Sequence, residues 1–330
     1  MTSPEKTIAF IGLGVMGYPM ALNLRKGLDA SHNFLICDVS SEALAKFQQE
    51  SQGQGPIEVV KNGYDAVRQA DTVITMLPGS GAVKAVYLDP STGVIAGAES
   101  LLKDGAAHNA QGKIIMECGT IETATILEVA KAVESSSASS LLSFVDAPVS
   151  GGPMGAQDGT LAFMAGMNNK PLYPTVKGLL SHMGNEKSIF LCGDIGAGTA
   201  FKVINNYLSA ITSLAASEAL NIGAKMNLDL ALLTDVINVS GGQCWVTSKS
   251  NPVPGIQANV PSSRDYEGGF RIELCAKVLG MGSQLAEMVG ARTVLDKPTL
   301  EAFGEAMGDE RYKGKDARVV YKWLNESDRK

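Results

Sequence analysis

The residues with the clearest chemical potential lie within the first 38 positions. Gly12, Gly14 and Gly17 directly follow the apolar run 8–11, which has the composition of a strand, and a helix-like segment comes after them. In this order the first glycine permits a tight turn, the second lets the backbone approach a pyrophosphate, and the third lets the helix pack on the strand. The N–H groups at the start of the helix then face the phosphates. The spacing predicts a dinucleotide site with backbone contacts from Gly12, Leu13, Gly14, Val15, Met16 and Gly17.

An acidic residue stands where such a site needs one. Asp38 closes the next apolar run, 34–37. A carboxylate at the end of the second strand can accept hydrogen bonds from both ribose hydroxyls, and it would repel a 2′-phosphate. We therefore expect NAD as the cofactor in preference to NADP.

A second glycine turn carries a serine hydroxyl. Ser150, Gly151 and Gly152 follow the strand-like run 142–147. Ligands of an open parallel sheet bind beyond the carboxyl ends of its strands. Two successive N–H groups and a hydroxyl can form a nest for a small carboxylate there. Glycine pairs also mark ordinary turns, so the segment alone leaves both interpretations open.

A lysine and an asparagine share one face of a long helix-like segment. Lys202 and Asn206 are four residues apart and follow the glycine-rich stretch 193–198. Such spacing places both side chains on the same side of a helix, whereas Asn205 lies one position off that face. A lysine beside an oxidised nicotinamide ring feels a like charge and partial desolvation, which both lower its pKa toward the range of an acid–base catalyst. Asn206 could orient a substrate hydroxyl, although an arbitrary pair of this kind is more often a solvated lysine and a surface asparagine.

Composition excludes several other classes of function. A net charge of -6 argues against nucleic acid and anionic membrane as partners. The sequence contains no run of about 18 apolar residues, so it predicts no membrane-spanning helix. The three histidines, His32, His108 and His182, are isolated in the sequence and predict no metal site. The five cysteines form no CxxC pair, which indicates free thiols in a reducing compartment.

The elements that would position these residues change character near residue 193. Before it, strand-like and helix-like segments alternate, which predicts a parallel, doubly wound sheet of the Rossmann type. After it no strand is expected, and 200–226 reads as a single long helix. We therefore expect an α/β dinucleotide-binding domain over 1–192 and an all-helical substrate and oligomerisation domain over 193–330, entered through the long helix.

Three motifs together resemble those of the β-hydroxyacid dehydrogenase family. Segment 10–23 is similar to its N-terminal signature, 146–161 to its substrate-binding motif and 193–206 to its catalytic motif. The resemblance covers nearly the whole chain in the right order. It implies that Lys202 is the catalytic lysine, assisted by Asn206. It also implies that Ser150, Gly151 and Gly152 hold the carboxylate of a small hydroxy-acid substrate.

The resemblance implies further cofactor contacts from Leu77, Pro78, Thr120, Phe270 and Lys277. Two departures from the family pattern stand near these residues. Val278 occupies the place of an aspartate that usually follows the lysine, and Glu117-Cys118-Gly119-Thr120 replaces Asp-Ser-Ser-Thr. Neither departure removes a residue that the chemistry requires.

Segments 251–255, 260–262 and 266–270 narrow the resemblance to the member that oxidises 3-hydroxyisobutyrate in valine breakdown. Members acting on 3-hydroxypropionate, tartronate semialdehyde or 4-hydroxybutyrate remain alternatives, because one methyl group in an apolar pocket is worth only about 1–3 kcal/mol. A non-catalytic relative should lack the lysine that is present here. We expect a homo-oligomer. We also expect a cytoplasmic location, because 1–6 has no targeting character, or the mitochondrial matrix if a presequence was removed.

Overall fold

The computed structural model describes residues 7–104 and 112–326. The chain divides into two compact units, one ending at Lys202 and one beginning at Val203. His108 and the segment 1–6, on which two of the expectations above rest, lie outside the described residues.

The first unit is built on a mixed sheet whose larger part is parallel. Strands β1 to β6 run in the order 3-2-1-4-5-6, and the pairings among these six strands are all parallel. Strand β8 pairs antiparallel with β6 and β7, and β9 pairs parallel with β8. The strands are β1 (Thr7–Ile11), β2 (Asn33–Cys37), β3 (Ile57–Val59), β4 (Thr72–Thr75), β5 (Lys113–Glu117), β6 (Leu142–Asp146), β7 (Val149–Ser150), β8 (Leu161–Met167) and β9 (Gly184–Gly193). The order reverses between β1 and β4, and ligands of such sheets bind in the crevice at this switch point.

Helices cover both faces of this sheet. They are α1 (Gly17–Gly27), α2 (Ser41–Glu50), α3 (Gly63–Gln69), α4 (Ser80–Leu88), α5 (Val94–Lys103), α6 (Thr123–Ser135), α7 (Gly152–Gln157) and α8 (Tyr173–Ser181). Alternate residues of β1 enter two separate cores: Ile8 and Phe10 belong to one, and Ala9 and Ile11 to the other. A strand buried on both faces needs apolar residues at every position, which is why β1 reads as a continuous apolar run.

The second unit is helical in the part of the chain that the structure describes. Helix α9 (Ala197–Lys225) begins in the first unit and continues into the second. The others are α10 (Leu230–Asn238), α11 (Trp245–Lys249), α12 (Ile272–Val289), α13 (Asp296–Met307) and α14 (Val320–Glu326). Beyond 203 the only β pairing among described residues is an isolated bridge between Arg271 and Asp316. No described helix combines the length and apolar character that crossing a membrane requires.

The predicted fold class is confirmed: a Rossmann-type sheet is followed by a helical part entered through one long helix. Four elements, α5, α7, β7 and α11, were not expected. Helix α7, strand β7 and helix α11 have six residues or fewer, which is too short for a periodic signal. Helix α5 is amphipathic over its 10 residues and was missed although the signal was present. The division of the chain at 192/193 into a dinucleotide-binding domain and a substrate and oligomerisation domain stays a prediction.

Candidate active site

At two of the three glycines in the β1–α1 turn, a side chain would clash with backbone atoms of the protein. Gly12 has a φ of +98°, and a Cβ there would press on the carbonyl oxygen of Met76. A Cβ at Gly17 would press on the carbonyl oxygen of Gly12. Gly14 is different, because it is exposed and a Cβ there would meet no protein atom within 4 Å. The open space above Gly14 fits the close approach of a pyrophosphate to the backbone.

The carboxylate of Asp38 is held in place by backbone donors. Its Oδ2 accepts the N–H of Leu13 at 2.5 Å, and its Oδ1 accepts the N–H of Ser40 at 2.7 Å. Asp38 therefore links the glycine turn to the end of β2. Each carboxylate oxygen keeps a further lone pair, so this half-buried group can also accept ribose hydroxyls.

The other predicted cofactor residues of the first unit follow neighbouring strands. Leu77 and Pro78 come directly after β4, and Thr120 comes after β5. The glycine turn and Asp38 follow β1 and β2, so all of these residues stand beyond the carboxyl ends of four adjacent strands. This is the edge at which an open parallel sheet binds its ligand.

A buried acid joins the loops after β4 and β5. Glu117 is fully buried and contacts the hydroxyl of Thr75, which lies 2.8 Å from the hydroxyl of Tyr87. The carboxylate also accepts the N–H groups of Gly119, at 2.7 Å, and Leu77. Burial raises the pKa of Glu117 to about 7, and these hydrogen bonds oppose the rise. The glutamate that departs from the family pattern thus braces two predicted cofactor loops.

The predicted carboxylate nest lies where β7 meets α7. Ser150 ends β7 and is half-buried, and Gly151 and Gly152 are exposed. Gly151 has a φ of +139° and Gly152 of +64°, and only glycine adopts such angles without strain. A Cβ at Gly152 would meet nothing within 4 Å. Since N–H groups at a helix start have no intrahelical acceptor, both are available to an anion.

An asparagine that was not singled out from the sequence ties two motifs together. The Nδ2 of Asn23, on α1, donates to the carbonyl oxygens of Ala156 at 2.7 Å and Gln157 at 3.2 Å, at the end of α7. The helix that follows the glycine turn is thereby joined to the helix that follows the carboxylate nest. The sequence feature that could have identified Asn23 is its polar side chain among the apolar residues of α1.

The first turn of α9 is anchored by a buried carboxylate. Asp146, the last residue of β6, is fully buried. Its Oδ1 accepts the N–H of Gly196 at 2.7 Å, and its Oδ2 accepts the N–H of Thr199 at 2.7 Å. The sequence placed Asp146 at the start of a motif but assigned it no role.

Lys202 is buried although it is a lysine. Only 8 % of it is exposed, and burial lowers its pKa from 10.5 to about 8. Asn206 lies four residues further along α9, is half-buried, and its Oδ1 accepts a hydrogen bond from Asn205 at 3.3 Å. Lys202 is therefore not a solvated surface lysine, and its catalytic role stays a prediction.

The two remaining predicted cofactor residues belong to the second unit. Phe270 precedes α12, and its N–H donates to Oδ2 of Asp316 at 2.7 Å. Lys277 lies on α12 and is exposed. Their part in binding cofactor stays a prediction.

The valine that replaces the family aspartate has a packing role. Val278 is 5 % exposed and forms a small apolar cluster with Val203 and Met281. An apolar contact between α9 and α12 thus stands at the position where the usual aspartate would be. At this position a buried hydrophobic residue therefore stands in place of an acidic one.

Comparison with known proteins matches both parts of the chain to families. Residues 7–193 match the family described as the NAD binding domain of 6-phosphogluconate dehydrogenase. Residues 196–324 match the one described as NAD-binding of NADP-dependent 3-hydroxyisobutyrate dehydrogenase. The fold and these matches define an NAD-binding oxidoreductase.

Individual relatives are similar over nearly their whole length. A probable mitochondrial 3-hydroxyisobutyrate dehydrogenase of Dictyostelium discoideum is 35% identical over 99% of this chain and 93% of its own. An NAD-dependent L-serine dehydrogenase of Pseudomonas aeruginosa is 35% identical over 96% of this chain and 97% of its own. The structure of the Mycobacterium tuberculosis 3-hydroxyisobutyrate dehydrogenase with L-serine superposes with a TM-score of 0.82, at 32% identity over 97% of this chain and 99% of that one. The chain belongs to the β-hydroxyacid dehydrogenase family, as its motifs predicted.

Proposed function

We propose that this enzyme oxidises 3-hydroxyisobutyrate reversibly to methylmalonate semialdehyde, with NAD as the electron acceptor. The observation that carries the proposal is Lys202, a buried lysine with a pKa of about 8 on the helix that follows the glycine cluster. The names of the D. discoideum and M. tuberculosis relatives support this substrate.

Each proposed site residue has one task in this reaction. Ser150, Gly151 and Gly152 bind the substrate carboxylate through a hydroxyl and two N–H groups. Neutral Lys202 accepts the proton of the substrate hydroxyl at Nζ, and Asn206 orients that hydroxyl through its side-chain amide. In the reverse direction the ammonium of Lys202 polarises the carbonyl and returns the proton. NAD, when bound, supplies the two-electron acceptor, and no step requires a metal.

Cofactor choice rests on Asp38. Its carboxylate is fixed by Leu13 and Ser40, so it cannot swing away from an incoming 2′-phosphate without losing two backbone hydrogen bonds. A negative charge held at this position favours NAD over NADP.

L-serine is a second candidate substrate, favoured by the name of the P. aeruginosa relative and by the ligand named with the M. tuberculosis structure. L-serine and 3-hydroxyisobutyrate share the carboxylate and the β-hydroxyl, and they differ at C2, where an ammonium replaces a methyl group. The carboxylate nest and Lys202 suit both equally. Discrimination must therefore come from groups around C2, where an ammonium requires acceptors and a methyl group requires an apolar wall.

The deciding experiment compares kcat/KM for 3-hydroxyisobutyrate, L-serine, 3-hydroxypropionate, 4-hydroxybutyrate and glycerate, whose oxidation gives tartronate semialdehyde, with NAD and with NADP. Absorbance of the reduced nicotinamide gives the initial rates. We expect 3-hydroxyisobutyrate with NAD to give the highest value. A higher value for L-serine would transfer the proposal to that substrate, and no activity with any hydroxy acid would refute it.

Three further proposals concern the whole protein. We propose that residues 1–192 form the dinucleotide-binding domain and that residues 193–330 form the substrate and oligomerisation domain. Exposed apolar residues on α9, namely Phe201, Ile204 and Leu208, support a homo-oligomer. Cytoplasm or mitochondrial matrix is the proposed compartment. Light scattering of the purified protein and fractionation of the source cells test these proposals.

A further inference from the structure

Asp146 is a buried acid at the junction of two motifs. It ends β6, four residues before the proposed nest residue Ser150. Through its side chain it also binds the start of α9, three residues before Lys202. Asp146 is therefore linked through the backbone to the segment proposed to hold the substrate and through its side chain to the helix that carries the proposed base.

The carboxylate is arranged as a cap for the first turn of α9. It accepts the N–H of Gly196 and the N–H of Thr199, both at 2.7 Å, one on each oxygen. The first N–H groups of a helix have no partner within the helix, and an anion there also interacts favourably with the helix dipole. A fully buried carboxylate with two charge-assisted hydrogen bonds fixes the orientation of the helix start more tightly than an exposed cap would.

Neighbouring glycines make room for this carboxylate. A Cβ at Gly198 would lie 2.8 Å from the backbone oxygen of Asp146 and 2.9 Å from its Oδ2. A Cβ at Gly166, on the adjacent β8, would press on its Oδ1. The glycine cluster before Lys202 thus serves a close approach of α9 to the acid. Any larger residue at 198 would push the helix away from Asp146.

We propose that Asp146 is a positioning residue for Lys202, which sets the place of the lysine relative to the substrate motif by fixing the first turn of α9. The proposal rests on the proposed function, because it assigns Asp146 a role in the reaction of Lys202. A misplacement of about 1 Å can cost a reaction about 100-fold in rate. Loss of the cap should therefore lower kcat, while the dinucleotide site at β1, β2, β4 and β5 stays intact.

The main variant is Asp146→Asn, which keeps the shape and one acceptor but turns an amide N–H toward the second backbone donor. We expect kcat for the hydroxy acid to fall about 10- to 100-fold, with Kd for NAD changed less than about twofold. The matched control is Asp229→Ala. It removes the Oδ1 that accepts the N–H groups of Ala231 at 2.9 Å and Leu232 at 3.1 Å at the start of α10, and it should leave kcat within about twofold.

A double-mutant cycle separates positioning from general destabilisation. If Asp146 acts through Lys202, then Asp146→Asn should change kcat less than about twofold in a Lys202→Ala background. An equal loss in both backgrounds would overturn the proposal, as would an unchanged kcat in the single variant. An inactive unmodified enzyme, by contrast, would refute the proposed function itself.

Should Asp146→Asn fail to fold, Gly198→Ala tests the same junction from the helix side. It keeps the acid but places a methyl group against the carbonyl oxygen of Met164 and against Asp146, so the first turn of α9 must shift away from the acid. We therefore expect kcat to fall with Kd for NAD unchanged. Gly178→Ala, on α8, is its control, because a Cβ there would meet nothing within 4 Å. Full activity of Gly198→Ala would contradict the proposal.

Discussion

The pH dependence of the reaction is the sharpest test of Lys202 as the base. An ordinary lysine with a pKa of 10.5 is neutral to only about 0.03 % at pH 7, whereas one with a pKa of about 8 is neutral to about 10 %. Burial thus raises the population of the basic form about 300-fold, which corresponds to about 3 kcal/mol. The perturbation to apply is therefore pH itself, followed by removal of the lysine.

In the proposed mechanism, oxidation requires neutral Lys202, and reduction requires its ammonium. The kcat/KM for oxidation should rise about tenfold between pH 7 and 9 and then level off, because the lysine loses its proton around pH 8. The kcat/KM for reduction should fall about tenfold over the same range. Bound oxidised nicotinamide carries a positive charge, so the midpoint for oxidation should lie at or below that for reduction.

The assay is the initial rate at 340 nm, in both directions, at saturating cofactor from about pH 6 to 10. Lys202→Ala should lower kcat about 10²- to 10⁴-fold with unchanged Kd for NAD, and the remaining activity should lose this pH dependence. Lys202→Arg should restore little, because arginine cannot release a proton near neutral pH.

Lys113 supplies a matched control within the same unit. It is also a buried lysine whose pKa is lowered by burial, but it begins β5 and donates to the carbonyl oxygen of Ala70 at 2.6 Å. Lys113→Met should leave both midpoints unchanged. If Lys202→Ala kept the midpoint near pH 8, or if oxidation and reduction moved in the same direction, the assignment of the base would be wrong.

Three further outcomes are expected. Asp38→Ala should weaken NAD binding and reduce the ratio of kcat/KM for NAD to kcat/KM for NADP. Equal kcat/KM for both cofactors in the unmodified enzyme would rule out the assignment of Asp38 to the ribose hydroxyls. Ser150→Ala should raise KM for the hydroxy acid by a factor corresponding to about 1–2 kcal/mol, whereas a change confined to the cofactor KM would move Ser150 to the dinucleotide site. Burial raises the pKa of Glu117 from 4.5 to about 7, so its contribution to stability is present below about pH 4.5 and is lost as pH rises through about 7. The free energy of unfolding of Glu117→Gln, measured in urea, should therefore increase relative to that of the unmodified protein by up to about 3 kcal/mol between pH 5 and 8.5. A difference that is independent of pH would contradict the burial of a titrating acid.

Local spacing predicted much of the fold and the positions of the proposed site. The tight turn at Gly12, the acid at the end of β2 and the lysine on α9 depend on residues close together in the sequence. These features can be recognised from the order of residues in the sequence, because turn geometry and helical periodicity are properties of short segments. The same is true of the parallel sheet, which alternating apolar segments indicated.

Contacts between distant segments were not predictable in this way. Glu117 meets Thr75 across 42 positions, and Asp146 meets Thr199 across 53. Neither pair has a periodicity that links its members in sequence. The antiparallel pairing of β8 with β6 could not be predicted either, since the composition of a strand does not show whether it pairs parallel or antiparallel.

The sequence by itself determined that this chain has a glycine-rich turn of the dinucleotide-binding type, an acidic residue after the second strand and a lysine on a long helix. Only the tertiary structure decided that Lys202 is buried and therefore has a pKa of about 8. It also decided that Asp146 caps the helix that carries this lysine. The reason is physical: a residue's type and neighbours set its local conformation, but its burial and charge environment come from segments that folding brings beside it.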